Sequence, residues 1–258
     1  SISAGVTGGR GGSEAGEALS AAGLARLASL DVSALPAVSG STRLGPPVAG
    51  MKNFVCIGLN YADHAAEMGN EVDRAAPFYF TKSPLAVVES GATVAYAPGT
   101  ADLHHEMEFV VALGRPGFRV AAEAAMALVF GYAAGLDMTR RDLQAAVKAR
   151  QRPWDLAKDF EDSAVLAPIT PAGNFGVIGD QRITLSVNGA PRQEARLSDM
   201  VWSVPELIAD LSRFYHLAPG DLIFTGTPAG VGAVGAGDRI RGEIDGLAPV
   251  HLTLGVAE

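Results

Sequence analysis

Two glutamates two positions apart, Glu106 and Glu108, stand in the run HHEMEFVVAL. In an extended strand, residues two apart point to the same face, so the carboxylates project side by side while Met107 and Phe109 point away. The run continues through Val110, Val111, Ala112 and Leu113, which sets the pair at the mouth of a core. Two carboxylates there repel each other and lose hydration, and something positive must offset both costs. A hard divalent cation with oxygen ligands does so. Asp137 closes another apolar run, GYAAGLD, and offers a third oxygen donor at a strand end. On spacing alone, a solvated strand face carrying two glutamates is the commoner outcome. His104 and His105 raise zinc as an alternative, but there is no HExxH motif and no cysteine partner for it.

A second group lies nearer the N-terminus. His64 and Glu67, in YADHAAEM, are three apart and so neighbours on one helix face. A carboxylate beside an imidazole orients it and raises its basicity, which suits general-base work on a water. A surface His–Glu pair is the plainer alternative. The polar flank EMGNEVDRAAP, with Gly69, has the make-up of a mobile cover. Lys82 in FYFTKSP and Lys158 in RPWDLAKDF can each meet a substrate carboxylate or a developing oxyanion. Arg140, Arg141, Lys148, Arg150 and Arg152 form a cationic run that is normally a solvated helix face. The loop TGTPAGVG lacks the Gly-Lys-Ser/Thr of a nucleotide-binding loop, yet its small residues and free N–H groups can cradle a carboxylate.

The elements that must hold these residues follow from local pattern. FVCIGL, FYFTK and EMEFVVAL are expected strands, and YADHAAEM a short helix ended by Gly69. GYAAGLDM leads into a polar helix, TRRDLQAAVKAR. ITLSVNG alternates and turns at Asn188-Gly189, a hairpin signal. Ser203 to Glu206 reads as a capping box, and the helix after it is expected to align Leu207, Ile208, Leu211, Phe214 and Tyr215. DLIF, DRIRGEI and VHLTL close the chain as strands. Residues 1–15 are Gly/Ser-rich. Residues 16–29 suggest a helix with Leu19, Leu24 and Leu27 partly on one face, followed by an extended connector and a boundary near Met51. Strands dominate without βαβ alternation, which indicates an α+β or β-rich domain.

Composition bounds the rest. The 258 residues are 48% hydrophobic and 19% charged, with a net charge of −8. A core is affordable, and no basic stripe marks a nucleic-acid partner. The one cysteine, Cys56, lies in an apolar run and reads as a core thiol. No stretch is long and apolar enough for a membrane span. The opening SISAGVTGGRGG lacks a basic region followed by an apolar one, so no signal peptide and a cytoplasmic location are expected.

The ordered motifs GLNYADHAAEM, FYFTKSP, LHHEMEFVVALG, GYAAGLDMTRRDLQ, RPWDLAKDFEDSAVLAP, SVNG and LIFTGTPAGVG resemble the fumarylacetoacetate hydrolase family across residues 51–258. The resemblance implies an α+β fold, a β-rich roll of mixed sheets with peripheral helices. It divides the chain into a small N-terminal segment and linker, 1–50, and a catalytic domain, 51–258. It implies one divalent cation, Mg²⁺ or Mn²⁺ with Ca²⁺ able to take its place, on Glu106, Glu108 and Asp137. His64, Glu67 and Lys158 become the expected catalytic groups. Lys82, Arg141, Gln144 and Thr227 become the expected substrate contacts. A homodimer, a small oxo-acid substrate and no nucleic-acid or membrane partner complete the expectation.

LDMTRRDLQ and RPWDLAKDF resemble the acylpyruvase branch. The expected reaction is therefore hydrolysis of the C–C bond of a fumarylpyruvate-like acylpyruvate, as in aromatic-compound catabolism. The segment SLDVSALPAVSGSTRLGPPVAGMKNFVCIGLNYADHA, however, resembles members that are dioate isomerases, ureidoglycolate lyases or diketo-deoxy-sugar-acid hydrolases. Oxaloacetate decarboxylation and 2-hydroxyhepta-2,4-diene-1,7-dioate isomerisation are thus the alternatives within the family. A catalytically silent metal-binding protein is the alternative outside it.

Overall fold

The computed structural model describes residues 21–37, 45–48 and 50–257. Its centre is the pair of strands with the longest apolar runs. Met107–Leu113 and Val129–Asp137 pair antiparallel, with Glu108 opposite Gly135 and Met107 opposite Leu136. Every residue of Met107–Leu113 is buried, because this strand is covered on both faces; that is why it is continuously apolar rather than alternating. Met107, Phe109, Val111 and Leu113 enter one hydrophobic cluster, while Val110 and Ala112 enter another with Phe54, Phe224 and Leu166.

Around this pair a large mixed sheet runs in the order Phe78–Thr81, Phe54–Gly58, Leu222–Phe224, Met107–Leu113, Val129–Asp137, Ala164–Leu166, Val87–Glu89, and Thr170–Pro171 adds to the Val129–Asp137 strand. Phe54–Gly58 is parallel to Leu222–Phe224, and Val87–Glu89 is parallel to Ala164–Leu166. A second sheet, in the order Ala190–Arg196, Arg182–Val187, Arg239–Ile244, Val250–Ala257, Thr93–Tyr96, closes over the first cluster. Its inner strands alternate buried and open residues, as a sheet with one solvated face must. Asn188 and Gly189 both take positive φ, the geometry of the hairpin turn that their sequence predicts. The architecture is the α+β arrangement of mixed sheets and short helices that was expected.

Three expectations need correction. The strand containing the glutamate pair is broken at Glu106: Leu103–His105 belongs to a small third sheet, and Met107–Leu113 to the large one. The helix after Arg140 spans Arg141–Lys148, while Thr139–Arg140 pairs as a short strand. The capped helix runs only Val204–Leu211; Leu207, Ile208 and Leu211 are buried, but Phe214 and Tyr215 are exposed beyond its end. Ser212 ends it by accepting from Val120 N through Oγ at 2.8 Å and from Arg119 N through its carbonyl at 2.8 Å. Near the N-terminus the described part of the expected helix covers Ala21–Ala28, with Leu24 exposed; residues 1–20, Leu19 among them, lie outside the described residues. Val48 and Met51 are already in the core. No described helix is long and apolar enough to cross a membrane.

Candidate metal centre and active-site cavity

Glu106, Glu108 and Asp137 converge beneath the edge of the large sheet. All three are buried, and one carboxylate oxygen of each lies within 4.8 Å of the others. Strand pairing sets two of them. Glu108 is in register with Gly135, two residues before Asp137, and Asp137 N donates to the Glu106 carbonyl at 2.9 Å. The Gly-rich loop also holds the Glu108 carboxylate: Gly226 N donates to Glu108 Oε2 at 2.7 Å. Gly226 has φ +98°, and a Cβ there would come within 2.7 Å of the Asn60 Cβ, so no other residue fits at that point.

Two buried lysines face this triad. Lys158 Nζ donates to Glu106 Oε2 and Asp137 Oδ2, both at 2.6 Å, and to Thr139 Oγ1 at 2.7 Å. Lys82 Nζ lies 2.8 Å from Asp137 Oδ1, yet its hydrogens go to Ser163 Oγ at 2.8 Å and to backbone carbonyls, including that of Lys158. Asp137 Oδ1 therefore has an ion-pair neighbour but no aligned hydrogen bond, and it is buried. An orphaned carboxylate oxygen in a triad of oxygen donors fits a hard divalent cation.

The charges agree with that fit. Burial, then the negative charges of Asp137 and Glu106, push the Glu108 carboxyl well above the usual range. Burial acts the same way on Glu106, but Lys158 and Arg141 overcome it and hold that carboxyl below its ordinary value. Burial alone would lower Lys158, and Asp137 with Glu106 instead raise it. Glu108 is thus the carboxylate without a positive partner, and a cation is what would ionise it.

A cavity of about 250 Å³ opens over the triad. Glu106, Glu108, His64, Arg141, Gln144, Lys158 and Thr227 line it, with an apolar side made by Ile57, Met68, Phe78, Phe80 and Trp154. His64 Nδ1 lies 3.0 Å from Glu67 Oε2, and Glu67 Oε1 accepts from Gly230 N at 3.0 Å. An ionised carboxylate only accepts, so Nδ1 carries the proton and Nε2 is left as the basic nitrogen. The stretch after this helix is tied down at a second place, where Arg74 donates to Val201 O and to Glu206, and Trp202 Nε1 donates to Asp73 O at 3.1 Å.

The sequence-expected residues fall into two shells around the cavity. His64, Lys158, Arg141, Gln144, Thr227 and the acidic pair reach it. Lys82 does not line it: its ammonium is enclosed behind Asp137 and Ser163 and meets the triad from behind. Its backbone N–H pairs with the Phe54 carbonyl, which turns the side chain inward. The two histidines are accounted for without zinc. His104 donates from Nε2 to Asp102 and accepts from Arg141 Nε at 3.3 Å, so it steadies the guanidinium that reaches Glu106 and Gln144. Burial pushes His105 down to about 4, and its Nδ1 meets Gln193 Oε1 at 3.1 Å.

Gln193 was invisible in the sequence. Its Oε1 also accepts from Met107 N at 3.0 Å, and its amide donates to Pro228 O and Thr227 Oγ1, both at 2.8 Å. The two backbone partners fix which end of the amide is which. Thr227 Oγ1 must then accept from Gln193, and its own proton is free to point into the cavity. Asn60 was missed as well; it bridges Thr225 O at 2.7 Å and Trp202. Both are single polar residues among others, and only long-range pairing gives them a role.

Oxygen donors for a cation, an oriented imidazole and anion-binding cations around one small cavity define a metal-dependent enzyme of small oxygenated acids. Comparison with known proteins narrows this. Residues 53–254 match the family model described as fumarylacetoacetate (FAA) hydrolase C-terminal, and the chain belongs to that family. It is 55% identical over 194 residues to fumarylpyruvate hydrolase of Ralstonia sp, covering 74% of this chain and 100% of the relative. It is 44% identical over 201 residues to the mitochondrial oxaloacetate tautomerase of Rattus norvegicus, covering 78% and 90%. Among solved structures it resembles fumarylpyruvate hydrolase from Pseudomonas aeruginosa in complex with Mn²⁺ and pyruvate, with a TM-score of 0.78, 40% identity, and coverage of 86% of this chain and 100% of that one.

Proposed function

We propose that this chain is a divalent-cation-dependent hydrolase that cleaves the C–C bond of an acylpyruvate of the fumarylpyruvate type, releasing pyruvate and a carboxylic acid. The observation that carries this reading is that Glu106, Glu108, His64 and Lys158 line one cavity of about 250 Å³, with Asp137 buried beside the two glutamates. The size suits a small acid rather than a polymer. The 55% identity to fumarylpyruvate hydrolase supports the substrate class, and the resemblance to a structure with Mn²⁺ and pyruvate supports the cation.

When held by Glu106, Glu108 and Asp137, a Mg²⁺ or Mn²⁺ ion supplies Lewis acidity toward a 2-oxo acid. The residues of the chain do the remaining work. Thr227 donates a hydrogen bond into the cavity, and Arg141 and Gln144 orient the anion. His64 Nε2 takes a proton from a water, and Glu67 stabilises the resulting imidazolium through Nδ1. The water oxygen adds to the C4 carbonyl. Lys158, whose three ammonium hydrogens are held by Glu106, Asp137 and Thr139, contributes its positive charge to the developing oxyanion rather than a hydrogen bond,. The C3–C4 bond then breaks with its electron pair on the pyruvate fragment, and His64 returns the proton to C3. Phe78, Phe80 and Trp154 keep bulk water off the apolar side.

A second reading is favoured by the 44% identity to an oxaloacetate tautomerase: proton movement or decarboxylation on oxaloacetate, with no attacking water. Parallel assays on fumarylpyruvate, acetylpyruvate and oxaloacetate separate the two. Hydrolysis predicts pyruvate from both acylpyruvates, with His64→Ala costing them more than any oxaloacetate reaction. Turnover of oxaloacetate alone would select the second reading. Residues 51–258 are read as the catalytic unit and 1–50 as an appendage. A homodimer located in the cytoplasm belongs to this reading, and light scattering on the purified protein tests the dimer.

A further inference from the structure

We infer that Lys148 recognises a second carboxylate at the far end of the substrate, so that the cavity selects dicarboxylic acylpyruvates over monocarboxylic ones. The inference rests on the acylpyruvate reading above. It comes from the helix Arg141–Lys148, which presents Arg141, Gln144 and Lys148 to the same cavity. Those positions are three and four residues apart and share one helix face.

The face is graded. At one end, Arg141 is bonded to the metal ligand Glu106 and to Gln144. Gln144 is buried, whereas Lys148 is exposed, so the helix leads from the triad to the cavity mouth. Lys148 forms no ion pair among the described residues and is the cation at that mouth. It follows Arg141 by seven residues, a rise of about 10 Å. The six carbon–carbon bonds of a seven-carbon dioate, about 1.5 Å each, span at most roughly 9 Å. One carboxylate at the triad therefore leaves the other within reach of the Lys148 ammonium. Between the two ends the wall is apolar and aromatic, with Phe78 and Trp154 packed edge to face at 4.8 Å. That wall suits a planar, unsaturated chain.

The ion pairs point the same way. Lys82, Lys158 and Arg141 are committed to Asp137 and Glu106, and Lys148 is the lining cation with no ion pair to the triad.

The test uses the Mn²⁺-loaded full chain and two ligands that lack a C4 carbonyl and cannot be cleaved, 2-oxoheptanedioate and 2-oxoheptanoate. Calorimetry gives both dissociation constants for the wild type, Lys148→Ala and Lys148→Arg. The preference for the dioate should fall roughly threefold to fivefold in Lys148→Ala, recover in Lys148→Arg, and shrink for the wild type as salt is raised. An unchanged preference in Lys148→Ala, with both ligands still bound, overturns the role of Lys148 and leaves the 2-oxo acid site standing. Failure of both ligands to bind the Mn²⁺-loaded wild type removes the acylpyruvate reading and this inference together.

Discussion

At the scale of single residues, Glu108 carries the sharpest consequence. Its carboxyl is raised by burial and by its two acidic neighbours, so the cation-free protein holds a proton there that a cation must displace. Mn²⁺ binding should release a proton and tighten as pH rises toward the raised value, which calorimetry in buffers of different ionisation enthalpy would detect. Binding that is indifferent to pH between 5 and 8 would argue that Glu108 is already ionised. Gln193 makes a second prediction. Gln193→Ala strips partners from Met107 N and Pro228 O, and buried groups left this way cost about 1–3 kcal/mol each. It should destabilise the protein to denaturant, and Thr227→Val in that background should cost less activity than it does alone, because the hydroxyl is no longer held as a donor. Equal losses in the two backgrounds would count against the relay. Spacing on an apolar run raised the acidic pair only as a candidate, with a solvated strand face the commoner outcome, and the order of the surrounding motifs is what assigned the triad. The placing of Lys82 was not legible, since a lysine after a strand does not disclose which side of the sheet its ammonium reaches.

At the scale of elements, the cover over the cavity is the part most open to experiment. His64 and Glu67 sit on the helix Ala62–Glu67, and the residues after it are fastened by the Arg74–Glu206 pair. The hydrogen bond from Arg74 comes first in holding Glu206 down to about 2, with Ser203 adding to it against partial burial. A depressed carboxyl contributes stability that is present above its ordinary value of 4.5 and is lost as pH falls through about 2. The fastening therefore persists across the neutral range, and only its removal by mutation loosens it there. Arg74→Ala should speed hydrogen exchange in residues 68–77 and raise KM, while global stability changes by less than about 1 kcal/mol. Unaltered exchange in that stretch would show that Trp202 alone holds it. The strands, the hairpin at Asn188-Gly189 and the capping box could be read from period and turn chemistry, since these are local rules. The break at Glu106 could not, because it arises from two different sheets claiming successive residues. Phe214 and Tyr215 continued a helical pattern that Ser212 stops through contacts with a loop about ninety residues away in sequence.

At the scale of the whole molecule, the site joins distant parts of the chain: His64, Glu106, Asp137, Lys158 and Thr227 meet only when the large sheet, the Gly-rich loop and the short helices are all in place. Cation binding should therefore report on global stability. Without a cation, the raised carboxyl of Glu108 contributes most below its unfolded value of about 4.5, and that contribution is lost as pH rises through the folded value,. The rise in Tm on adding Mn²⁺ should accordingly grow with pH, and a rise that shrinks with pH would contradict the charge assignment. The family and its metal triad were legible because several motifs occur in a fixed order. The far end of the cavity was not, because Lys148 stood among other cations and only the folded helix shows that it shares a face with Arg141 and Gln144. The central claim is that the triad holds the cation required for acylpyruvate cleavage. Its most direct test is pyruvate release from fumarylpyruvate by chelator-stripped protein titrated with Mn²⁺, beside Glu106→Ala and Glu108→Ala. The account predicts no release when stripped, full recovery at one Mn²⁺ per chain, and no recovery in either variant. Full-rate release by the stripped protein, or normal Mn²⁺ activation of both variants, would contradict it.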